Sequence, residues 1–150
     1  MKLTYQQCLL IDGALRNLDG TYEKLIEDGK TRKIFNARIE LSMGVRVANG
    51  MRLHKLETPL KLFKKLEQDL LFKLGEAVDD AFKVPPENFV EWTKARDALL
   101  DTEIDVDIEL IKDDDLKLEA NPAIGGQVLQ MLAPIRAGIV DERKDQPTSD

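Results

Sequence analysis

Five carboxylates stand at the odd positions from 101 to 109, namely Asp101, Glu103, Asp105, Asp107 and Glu109, while Ile104, Val106, Ile108 and Leu110 hold even ones. Acidic side chains at regular spacing could ligate a hard cation or divide the roles of general acid and base. The spacing argues against both. Same-face residues of an extended strand lie roughly 7 Å apart, so at best two neighbours such as Asp105 and Asp107 would share one ion. A calcium loop starting at Glu103 would need glycine where Ile108 stands. Acid–base chemistry needs a cleft that desolvates one carboxyl and raises its pKa, and nothing in the sequence marks one. A charged edge strand that resists aggregation, with its carboxylates paired to Lys or Arg, explains the same pattern without a reaction.

The remaining chemical groups are sparse. His54 is the only histidine, and its helical neighbours Gly50, Met51, Glu57 and Thr58 offer no second nitrogen ligand, which disfavours a zinc site or a histidine triad. Cys8 is the only cysteine; it excludes an intramolecular disulfide framework and, lacking a nearby base, reads as a small core residue. There is no Gly-Lys-Ser/Thr phosphate loop and no Gly-x-Gly-x-x-Gly turn, and Gly125-Gly126, whose backbone amides could meet an anion, reads rather as a site of close helix packing. Subtler candidates are Asn49, Arg52 and Glu67. At about 100° per residue they share an arc with Leu56, Leu60, Phe63 and Leu70. Polar groups in an apolar stripe either form an internal hydrogen-bond cluster, here with the polar segment before Ser42, or fix an interface.

These groups sit on a chain of 150 residues, 43% hydrophobic and 33% charged, which suits one soluble domain with a real core. No apolar run is long enough to span a membrane, and the first residues carry no signal-peptide hydrophobic region, so a cytoplasmic protein is expected. Net charge is −6, but residues 1–100 hold 17 basic against 15 acidic residues and residues 101–150 hold 5 against 13. From Lys24 to Lys65 there are 11 basic residues and four acidic ones, with only Phe35 and Phe63 interleaved. Nucleic-acid binding calls for more aromatics or a reading helix, so this stretch reads as a solvated face or one that meets the chain's own acidic strand.

Helices must position most of this. Thr4 and Gln7 form a capping box that starts a helix over Tyr5 to Leu18, with Cys8, Ile11, Leu15 and Leu18 as its buried stripe, widened by Leu9 and Leu10. Tyr22 to Glu27 suggests a short helical turn, and Arg38 to Leu41 a short strand. A long helix then runs from Ser42 to Leu74, kinked at Pro59 unless Thr58 caps a second helix there. At about 1.5 Å per residue it would be roughly 50 Å long, against a radius of gyration of roughly 15 Å for a compact domain of this size. It must project or pair. Gly75 to Pro86 is the return segment, and a helix over Glu87 to Leu100 packs antiparallel on the long one through Phe89, Trp92 and Leu99. After the strand, Asp113-Asp114-Asp115 makes a turn, and Asn121 caps a final helix over Pro122 to Leu132 that Pro134 closes. The expected fold is α+β and mainly helical, a long antiparallel helical hairpin with a small sheet including strand 103–111. Residues 1–135 form a single domain, and 136–150 a polar, flexible tail.

The helix carrying Arg46-Val47-Ala48-Asn49 and Leu53, the polar return, Asn88-Phe89 leading to Leu99-Leu100-Asp101-Thr102-Glu103-Ile104-Asp105-Val106-Asp107-Ile108, and the helix with Leu129-Gln130-Met131-Leu132 resemble small proteins of unknown function from tailed bacteriophages and prophages. The likeness covers about residues 42–135. It implies a phage context and no chemistry. The expectation is a non-catalytic protein-interaction factor, a virion assembly or structural accessory protein of tail or head–tail, acting in the host cytoplasm or the virion. Alternatives are an inhibitor of a host enzyme or defence system that uses the acidic strand, and a metal-dependent hydrolase or nuclease. The expected partner is protein, either a second copy or a phage or host protein, with no nucleic acid and no membrane, and a homo-oligomer is expected. The interaction candidates are Asn49, Arg52, Glu67, Glu103, Asp105, Asp107 and Glu109. No residue is assigned to catalysis, a metal or a cofactor.

Overall fold

The computed structural model describes residues 1–19, 21–25, 31–35 and 39–137, with 21–25 and 31–35 as backbone. The fold is α+β and mainly helical. In chain order the elements are β1 (Lys2–Thr4), α1 (Tyr5–Leu18), β2 (Thr21–Leu25), β3 (Thr31–Phe35), α2 (Met43–Leu74), β4 (Glu76–Val78), β5 (Ala81–Lys83), α3 (Phe89–Leu100), β6 (Glu103–Asp105), α4 (Asp113–Leu116) and α5 (Gly126–Met131). The strands pair as antiparallel couples, β1 with β6, β2 with β3 and β4 with β5. Two compact units result, one of Met1–Leu9 and Leu56–Val106, the other of Leu10–Lys55 and Asp107–Asp150.

In the first unit, the Thr4 amide donates to Gln7 Oε1 (2.9 Å) and the Gln7 amide to Thr4 Oγ1 (3.1 Å), the reciprocal pair that starts α1. Leu3, Tyr5, Cys8, Leu56, Phe63, Leu74 and Val106 are buried there, with the rings of Tyr5 and Phe63 5.4 Å apart. α2 runs unbroken through Pro59. The second half of α2 and α3 form an antiparallel hairpin, since Glu67 meets Arg96 and Asn88 Nδ2 donates to the Leu74 carbonyl. Trp92 and Leu99 are half-buried in it as expected. Phe89 is not: it is 59% exposed, because a 3-10 turn over Pro86–Asn88 delays α3 and turns its first residues outward.

The return segment is more ordered than its composition suggested. β4 and β5 form a hairpin whose two-residue turn, Asp79 (φ 48°) and Asp80 (φ 66°), has the left-handed backbone that matches strand twist. Gly75 makes the approach possible, because a Cβ there would lie 2.5 Å from the Leu71 carbonyl oxygen. Aspartate tolerates the left-handed region at a cost of about 1–2 kcal/mol. Asp80→Gly is expected to recover about 0.5 kcal/mol of that after the added unfolded-state entropy. Hydrogen exchange of the β4 and β5 amides should slow about twofold.

In the second unit, Ile11, Ala14, Leu15 and Leu18 of α1 are buried with Ile39, Leu41, Ile108, Ile111, Leu116, Ile124, Leu132 and Ile135, whereas Leu10 is 39% exposed and does not widen the stripe. Ser42 caps α2, accepting from the Val45 amide (3.3 Å). Several local expectations give way here. Tyr22 lies in a strand and not in a helical turn, because it pairs with Ile34; Glu27 lies outside the described residues. Ile39–Leu41 is not a strand, and Arg38 lies outside the described residues. The Ile39 and Leu41 carbonyls accept from the Arg46 guanidinium (3.3 Å each) in place of a ladder. The three aspartates at 113–115 open α4 and do not form a turn, favoured by the positive end of that helix. Asn121 caps nothing, and the last helix starts only at Gly126. The tail is held at its first residues: Arg136 donates two parallel hydrogen bonds to Asp113 (3.0 and 2.9 Å), and Ile111 bridges to residue 136. Residues 138–150 lie outside the described residues.

The acidic segment departs from a full strand. Only Glu103–Asp105 joins a ladder, pairing with Lys2–Thr4. The Met1 carbonyl still accepts from the Val106 amide (2.9 Å), after which the backbone finds other partners. The alternation in burial nevertheless persists: Val106 and Ile108 are buried and Ile104 and Leu110 half-buried, while Asp105, Asp107 and Glu109 are exposed.

Candidate functional site

α2 places Asn49 and Arg52 one turn apart, so both side chains share the face that carries Leu56 inward. They are 2% and 4% exposed. The Arg52 guanidinium donates through Nε to the Glu109 carbonyl (2.8 Å), through Nη2 to the Leu110 carbonyl (2.9 Å) and through Nη1 to Asn49 Oδ1 (2.7 Å). The internal cluster thus forms with residues 109–110 and not with the segment before Ser42. Burial lowers the Arg52 pKa from its ordinary value, and the charges of Glu109 and Asp115 work in the opposite direction. Asn49 Nδ2 is buried without a partner among the described residues. The arrangement holds irregular backbone where a ladder would otherwise be needed.

The other candidates are not brought together with it. Glu67 pairs with Arg96 Nε at 3.0 Å on the half-exposed side of the α2–α3 hairpin. Glu103 and Asp105 project from β6 into solvent, and Asp107, with a fully exposed side chain, lies 3.8 Å from Lys55 Nζ. Solvent screens that pair, so it adds little to stability. Glu109 hydrogen-bonds in the cluster through its carbonyl oxygen, and its carboxylate acts on Arg52 through charge alone. Among the described residues no three His, Cys, Asp or Glu side chains converge as metal ligands would. Cys8 is fully buried, and burial pushes its thiol up to about 11, which leaves little thiolate at neutral pH.

A different surface stands out on the first unit. Phe72, Val78, Phe82, Phe89 and Val90 are 53%, 40%, 41%, 59% and 65% exposed, from the end of α2, the β4–β5 hairpin and the start of α3. The Phe72 and Phe82 rings meet edge to face at 4.7 Å. Every residue of the hairpin is exposed. An isolated two-stranded hairpin is marginal in water, and clustered exposed aromatics mark interaction surfaces. The sequence that carries most of these residues is acidic: from 76 to 91 the charged residues are Glu76, Asp79, Asp80, Glu87 and Glu91 against Lys83.

Compared with known protein families, curated proteins and solved structures, the chain matches none. Among the described residues no helix is long and apolar enough to cross a membrane.

Sequence reasoning passed over the exposed Phe72, Val78 and Phe82 and the contacts of Arg46, placed Phe89 in the helix packing, and read Asn121 as a cap. Asn121, 1% exposed, accepts from the Glu40 amide (2.8 Å) and donates to the Glu40 and Leu116 carbonyls (2.8 and 2.9 Å). An Asn before Pro is a cap signal, and nothing local distinguishes it from a buried tie. The aromatic end did leave a trace: Phe82 is a large apolar residue two positions after Asp79-Asp80, in a stretch otherwise read as a polar return.

Proposed function

We propose that this chain is a non-catalytic phage protein-interaction factor, a virion assembly or structural accessory protein of tail or head–tail, working in the host cytoplasm or the virion. The observation that carries the interaction role is the uncovered aromatic end formed by Phe72, Val78, Phe82, Phe89 and Val90. The phage context rests on the resemblance of residues 42–135. The acidic sequence that carries most of these residues suits a protein partner whose apolar patch is bordered by Lys and Arg, since like charge would slow encounter.

The exposed carboxylates support a second reading, inhibition of a host enzyme through Glu103, Asp105, Asp107 and Glu109. Two double variants separate the readings in binding assays against purified tail and head–tail proteins. Phe89→Asp with Val90→Asp should weaken binding at least about tenfold. It should also leave the fold intact, because acids are welcome in the first turn of a helix. Asp105→Asn with Asp107→Asn should bind as the wild type does. The reverse pattern, with loss confined to the Asp→Asn variant, favours the inhibitor. Tight magnesium or manganese binding by the wild type but not by the Asp→Asn variant would overturn the non-catalytic reading.

A further inference from the structure

α3 is a 12-residue helix with no buried residue, although it carries Val90, Trp92, Ala95, Leu99 and Leu100. A helix gains most of its stability from burying an apolar face, so α3 packed on α2 alone is short of a third surface. Between the two helices lies an open groove of about 330 Å³, lined by Leu66, Leu70, Ala95 and Leu99, with Asp69 and Lys73 on its α2 rim. Leu62, 47% exposed, extends the same face of α2 by one turn. Asp69 and Lys73 make no ion pair among the described residues.

We propose that this groove receives the α2–α3 hairpin of a second copy of the chain, making a four-helix bundle. Charge selects that occupant. Asp69 and Lys73 stand one turn apart, so a two-fold axis passing between their levels sets Asp69 of each copy against Lys73 of the other. A two-fold interface must be self-complementary, and one acid and one base spaced about a helical turn satisfy that twice over. The leucines of the two grooves then close on each other, as in helix bundles assembled from hairpins. None of the residues lining the groove belongs to the aromatic end, so variants can address each surface in turn.

The test is sedimentation equilibrium of the full chain over a wide concentration range, with circular dichroism to verify folding. The wild type should dimerise. Lys73→Asp, which sets only carboxylates across the axis, should raise the dimer dissociation constant at least about tenfold. Asp69→Lys combined with Lys73→Asp should restore it to within about threefold, because the exchanged charges remain complementary across a two-fold axis. Both positions are exposed, so all variants should fold. A wild type that stays monomeric throughout overturns the proposal. So does a double variant as weak as the single one, since a heterologous contact or another face would not be rescued by the swap. Retained binding of tail proteins by a monomeric Lys73→Asp variant would show that the aromatic end acts independently of the dimer.

Discussion

Arg52→Met is expected to destabilise the protein by about 3 kcal/mol, read from the midpoint of a urea titration with an unchanged slope. Three hydrogen bonds from a charged donor disappear, each contributing about 1.5–3 kcal/mol net. The Glu109 and Leu110 carbonyls lose their partner, and so does Asn49 Oδ1, which is buried. Against this, the cost of burying the guanidinium is removed, and methionine fills part of the space. The balance stays unfavourable because residues 109–110 have no ladder to fall back on. Arg52→Lys should recover little, since one ammonium on a flexible stem cannot reproduce a planar fork that reaches three acceptors. Hydrogen exchange at Ile111, whose amide bonds to the Ile135 carbonyl (2.7 Å), should accelerate in both variants. A loss below about 1 kcal/mol would mean that water satisfies the freed carbonyls.

The second large effect is Val106→Asp. Val106 is 4% exposed, and its amide is bonded to the Met1 carbonyl, so the backbone holds the new carboxylate in place facing inward. A buried charge without a partner loses its solvation and is expected to cost about 3–5 kcal/mol, a large fraction of the stability of an ordinary domain. The neighbouring Asp105→Asn and Asp107→Asn should each change stability by less than about 0.5 kcal/mol, since both side chains are in solvent. A melting temperature for Val106→Asp equal to the wild type would show that the alternation along 103–110 does not face a core.

Short-range physics made part of this legible beforehand. The Thr4–Gln7 capping box spans three residues, its hydrogen bonds need nothing from the rest of the chain, and the helix it opens ends at Leu18 as the pattern indicates. The buried stripe Cys8, Ile11, Leu15 and Leu18 follows from helical periodicity, and the in-and-out alternation of residues 103–110 follows from extended backbone whether or not a ladder forms. α2 survives Pro59 because its apolar phase continues on both sides of the proline.

What the amino-acid order left open was partnership at a distance. Arg52 could be recognised as a polar residue in an apolar stripe, but its acceptors lie 57 and 58 residues away, and Asn121 meets Glu40 across 81. Residues 106–110 show the same limit: their period is that of a strand, yet strand pairing depends on a neighbour, and β1 pairs only with Glu103–Asp105. The aromatic end and the groove beside Asp69 and Lys73 are also tertiary facts. Phe72, Phe82 and Phe89 read locally as ordinary hydrophobic residues, and only the folded chain decides that they stay in water. Periodicity determines which face of an element is apolar, while the folded chain decides what, if anything, covers it.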